Sequence, residues 1–144
     1  HGIVSGALFL CIGFLYERHH TRIVKYYSGL HTTMPLFSTF FTIFTMANIG
    51  LPGTSSFIGE FLIIVGSFLM NTLAGLFCAS GMVLGVCYSL WLLNKILFGN
   101  TKIVSIVNFK DLTRIEFFCL LPFLFLTLLL GIFPELIINY VYIV

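Results

Sequence analysis

The run from Pro35 to Met70 is 36 residues long and carries a single ionisable side chain, Glu60. As one α-helix at about 1.5 Å per residue it would measure about 54 Å, against roughly 30 Å for the hydrocarbon core of a bilayer. Such a segment has to bend, break or protrude. Gly50-Leu51-Pro52-Gly53 supplies the break: Pro52 has no amide hydrogen to donate, and the two glycines accept backbone angles that other residues resist. Thr54, Ser55 and Ser56 follow, residue types suited to cap a second half-helix.

The rest of the chain shares this apolar character. Uncharged or nearly uncharged stretches also cover residues 1–16, 71–94 and 117–144. With 59% hydrophobic, 17% aromatic and 8% charged residues, the 144 residues lack the polar surface a water-soluble fold needs. The stretches are apolar all round rather than alternating, so the requirement that backbone groups be satisfied inside lipid selects helices over a β-barrel. The expectation is an all-α transmembrane fold, a single membrane domain over 1–144. About four spans are expected, at residues 1–16, 35–70 (discontinuous at Gly50–Gly53), 72–98 and 117–134, with an apolar tail to 144.

Charge supports that count. Arg18, Arg22 and Lys25 follow the first span, and Lys95, Lys102, Lys110 and Arg114 lie between the third and fourth. With helices alternating in direction, all seven fall on one side, as the positive-inside tendency requires, and the C-terminus lies on the other. A net charge of +2, dispersed in this way, excludes a nucleic-acid surface. Cys11, Cys78, Cys87 and Cys119 sit inside apolar runs without metal-ligand spacing, and no haem, flavin or iron–sulfur pattern occurs. His19, His20 and His31 read as interfacial residues, Lys95 as a snorkelling anchor, and Trp91 with Tyr88 as an aromatic belt.

Glu60 stands apart. It lies 11 residues before Asn71, about 16 Å along a helix and hence near the midplane. A charge there costs at least about 2.5 kcal/mol. Three explanations compete. Capping fits poorly, because the residue three after Ser56 is Gly59. A static ion pair has Lys95 as its one candidate within the chain. Proton transfer is the third: burial opposes the anion while the positive end of the second half-helix favours it, which leaves a group able to exchange a proton. Ser56, Glu60 and Ser67 share a helical face. His1 is the other ionisable group inside a span, and a neutral imidazole both accepts and donates a proton.

His1-Gly2-Ile3-Val4-Ser5-Gly6-Ala7-Leu8-Phe9 with Tyr16-Glu17-Arg18, then Leu51-Pro52-Gly53-Thr54-Ser55-Ser56-Phe57-Ile58-Gly59-Glu60-Phe61, Tyr88-Ser89-Leu90-Trp91 and Gly131-Ile132-Phe133-Pro134, resemble the C-terminal third of the subunit 4 family of NADH:ubiquinone oxidoreductase, respiratory complex I. The resemblance covers essentially the whole chain. It implies a partial antiporter-like bundle within a proton-translocating enzyme, a chain with no redox cofactor of its own, and FMN, iron–sulfur clusters and ubiquinone in other subunits. Glu60 would match the terminal acidic residue on a discontinuous helix, and His1 the histidine linking it to a central lysine. Implied partners are subunits 2 and 5 and membrane lipids, with no nucleic acid. The implied location is the mitochondrial inner membrane, its positive loops on the matrix side.

The family's acid–lysine pair and central lysine belong to earlier helices outside this sequence, which opens at His1 already inside a span. A separate chain carrying the N-terminal part of the subunit, or a longer product, is therefore expected. Two rival readings are a membrane subunit of a cation/proton antiporter or membrane-bound hydrogenase relative, and a scaffold in which Glu60 is a static partner.

Overall fold

A computed structural model describes residues 1–99 and 110–142, so Lys102, most of the connector between the third and fourth expected spans, and the last two residues of the tail lie outside the described residues. All regular elements among the described residues are helical: α1 (Gly2–His19), α2 (Leu30–Thr33), α3 (Pro35–Asn48), α4 (Ser55–Met70), α5 (Thr72–Leu97), α6 (Arg114–Ile132) and α7 (Glu135–Tyr142). A 3-10 turn at Val24–Tyr26 leads into α2.

The long apolar run is indeed two helices. α3 stops at Asn48 and α4 begins at Ser55, and both Gly50 and Gly53 take positive φ, 82° and 93°. α3 is the centre of the bundle, in contact with α1, α4, α5 and α6. Its phenylalanines recur at helical spacing, and Phe37 and Phe44 are fully buried. Rings of Phe37 and Phe41 stack at 5.6 Å, and Phe40 meets Phe117 of α6 edge-on at 5.3 Å. Ala7, Cys11 and Leu15 of α1 close the core from one side, Leu93, Ile96 and Leu97 of α5 from another.

The outer faces are as apolar as the core. α5 and α6 are long and apolar enough to cross a membrane by length and composition, yet only 11% of the most apolar window of each is buried. A core helix of a water-soluble protein would be mostly buried; here lipid-facing or partner-facing residues such as Phe77, Leu84 and Phe125 are exposed. Pro122 sits inside α6, a position tolerated in membrane helices. The sequence beyond 134 is helix α7 through Tyr142 rather than a continuation of α6, because Pro134 cannot extend the helix before it.

Helix starts differ in how their free amides are met. Asn71 accepts from Leu73 N at 2.9 Å to begin α5. Thr113 and Glu116 form a capping box at α6. Asp111 meets the start of α3. α4 has no side-chain cap: its N-cap residue, Thr54, spends its hydroxyl on the carbonyl of Leu51 at 2.7 Å. The capping expected of Thr54, Ser55 and Ser56 is thus not made.

Candidate functional site around Glu60

Glu60 is on the second turn of α4, half-buried, with its carboxylate pressed against Gly50. A Cβ at position 50 would collide with the Glu60 Oε2 atom, so the glycine serves two purposes, a left-handed turn and close approach of a carboxylate to backbone. On its open side Glu60 faces a cavity of about 200 Å³ that it lines with His1, Asn48, Gly85, Tyr88 and Ser89. This volume is large enough to admit water, and its polar lining offers partners for it.

His1 also lines a second cavity of about 440 Å³, together with Ser55, Gly59, Leu130 and Pro134. The two candidate residues therefore share one cavity, and the histidine joins it to another at the uncapped start of α4. Next to that start, the Ser55 and Ser56 hydroxyls are buried without a hydrogen-bond partner. Ser67, placed on the same face by spacing, instead donates to the Ile64 carbonyl at 2.8 Å and contributes nothing to either cavity.

The break is held from outside by α6. A Cβ on Gly131 would strike the backbone of Gly53 and Thr54, so α6 lies directly on the irregular segment, and protein covers backbone that lipid could not satisfy.

Lys95 does not reach Glu60. Its ammonium lies 4.5 Å from the centroid of the Trp91 ring, and the one ion pair among the described residues joins Arg18 to Glu116. Tyr88, expected in an aromatic belt, lines the Glu60 cavity. Nothing in the sequence pattern assigns Asn48, Tyr88 and Ser89 to this cavity, since a polar residue among apolar neighbours reveals its face only once helices are packed.

A second polar centre, also missed, lies at the positive side. The Arg18 guanidinium donates to the Phe14 carbonyl (2.8 Å), the Lys110 carbonyl (3.1 Å), the Asp111 carbonyl (3.4 Å) and the Glu116 carboxylate (2.6 Å). Nearby, burial and then the Arg18 charge hold the His19 pKa below its ordinary value, and burial pushes the Tyr27 phenol up. Tyr27 donates its proton to the Thr21 carbonyl at 2.8 Å.

The arrangement is a bundle of apolar helices with an interrupted helix pair at its centre, a carboxylate beside the break and a histidine lining the same cavity, a class of membrane-type helical fold. The family described as NADH:quinone oxidoreductase/Mrp antiporter, TM, matches residues 1–87. The chain belongs to this family. It is 58% identical over 135 residues to NADH-ubiquinone oxidoreductase chain 4 of Marchantia polymorpha, covering 94% of this chain and 27% of that relative. It is 47% identical over 137 residues to NADH-quinone oxidoreductase subunit M of Rhodobacter capsulatus, covering 95% and 27%. Among solved structures, it is similar to a chain of respiratory complex I from Thermus thermophilus with bound NADH, at a TM-score of 0.83 and 32% identity over 92% of this chain and 28% of that one. The chain thus spans about a quarter of the length of these relatives.

Proposed function

We propose that this chain is the C-terminal part of the proton-translocating, antiporter-like subunit 4 of NADH:ubiquinone oxidoreductase, and that Glu60 and His1 are its proton carriers. One observation carries the reading: Glu60 and His1 line one cavity beside a helix break. A protonated His1 imidazole gives its proton, directly or through water in that cavity, to the Glu60 carboxylate, leaving a neutral imidazole and a neutral carboxylic acid. Glu60 then releases the proton toward the outer side and returns to the anion.

The chain supplies no redox chemistry. FMN, iron–sulfur clusters and ubiquinone belong to other subunits on this reading, and the driving force arrives through the membrane arm, from neighbours including subunits 2 and 5. The N-terminal part of the subunit, whether a separate chain or the earlier part of a longer product, packs against residues 1–16, and the positive loops face the mitochondrial matrix. The names of several relatives, NADH-ubiquinone oxidoreductase chain 4 of Marchantia polymorpha and Triticum aestivum among them, support the mitochondrial inner membrane. A cation/proton antiporter shares the family description, but the names of these relatives favour the oxidoreductase.

Glu60→Gln in the assembled complex tests the reading. The variant is expected to assemble normally and to translocate protons about a hundredfold more slowly or worse, the usual scale for removing a proton-transfer group. Normal translocation would sink the relay, and loss of assembly would favour the scaffold reading.

A further inference from the structure

The carboxylate that starts α3 comes from the far end of the chain. Pro35, the first residue of α3, has no N–H, and Ser38 N already donates to the Met34 carbonyl at 3.0 Å. The two remaining first-turn donors, Leu36 N and Phe37 N, both go to Asp111, at 3.0 Å to Oδ2 and 3.1 Å to Oδ1. Asp111 is in turn fixed by its own backbone: Arg18 of α1 donates to the carbonyls of Lys110 and Asp111 while pairing with Glu116 of α6. Two segments distant in sequence, α1 and residues 110–116, therefore converge on the start of α3.

At its other end, α3 delivers Gly50 to the Glu60 carboxylate. Between these ends run 14 helical residues, about 21 Å of helix, packed through fully buried Phe37 and Phe44. A helix so packed shifts as a unit, and any such shift carries Gly50 relative to the Glu60 carboxylate that lies against it. We infer that Asp111, held by Arg18, is a positioning residue for the proton site: it sets the axial height of α3 and thereby keeps the Glu60 carboxylate against Gly50 and facing the cavity shared with His1. This rests on Glu60 being a proton carrier.

The test compares Asp111→Ala and Asp111→Asn in the assembled complex, with two readouts: hydrogen exchange at the Leu36 and Phe37 amides, and protons translocated per NADH oxidised. Asp111→Ala is expected to speed exchange at both amides about fivefold, as loss of a cap does, and to lower translocation roughly threefold or more through misplacement of the acceptor. Asp111→Asn keeps one acceptor oxygen and should recover at least half of both effects; should the alanine variant not assemble, the asparagine variant alone is expected to show partial losses in both. Faster exchange with unchanged translocation, in either variant, would overturn the inference by making Asp111 a cap and nothing more. Unchanged exchange would overturn it as well. Normal translocation in Glu60→Gln would remove the relay on which it rests, an outcome separable because exchange at Leu36 and Phe37 reports Asp111 independently.

Discussion

Two polar centres interrupt this apolar chain, and they are built in opposite ways. At the positive side, Arg18, Asp111, Thr113 and Glu116 use guanidinium, carboxylates, hydroxyl and backbone to satisfy one another. At the break, α4 starts without a side-chain cap, two buried serine hydroxyls lack partners, and Glu60 lines a cavity without an ion pair among the described residues. A saturated network fixes geometry, because each group lost leaves others buried and unmet. An unsaturated one can accept water and protons. The molecule uses the first to brace the second, through α3.

Mutations separate the two kinds. The largest effect on stability is expected for Arg18→Met. With side chains only 15% and 13% exposed, the Arg18–Glu116 pair is mostly buried, and its loss leaves the Glu116 charge with the Thr113 amide alone, costing about 3 kcal/mol; heat inactivation of the assembled complex measures it. Gly131→Ala comes next, at about 2 kcal/mol of overpacking, since the new methyl meets backbone of Gly53 and Thr54 rather than a flexible side chain. That variant should also slow proton translocation, by displacing the segment that leads into α4 and so Glu60; unchanged translocation would show that α6 does not hold the break. The smallest effect belongs to Ser56→Ala. Replacing a buried hydroxyl that lacks a partner changes stability by no more than about 1 kcal/mol, with a gain as readily as a loss, whereas Thr113→Ala should cost about 1 kcal/mol because that hydroxyl caps α6. Equal losses for Ser56 and Thr113 would erase the contrast.

What the sequence revealed follows the same division. The break was legible because length and proline chemistry are local facts: 36 apolar residues exceed a bilayer, and Pro52 between two glycines cannot stay helical. Glu60 was legible because a lone carboxylate in such a run is costly. The brace was not. Asp111 serves amides 74 and 75 positions away, and no spacing rule links them. Tyr88 and Ser89 were hidden for a related reason: which face of α5 meets α4 is decided by packing, and α5 is apolar on every side. Thr54 shows the limit of residue-type rules, since a good capping residue at the right place bonds to the preceding turn instead.

The central claim is that Glu60 gains and loses a proton during turnover. Infrared difference spectroscopy on the assembled complex, with and without NADH-driven turnover, reads this directly from the carboxyl C=O stretch. A protonation band that is present in the unmodified complex and absent in Glu60→Gln is the predicted result. Identical difference spectra for the two would contradict the account.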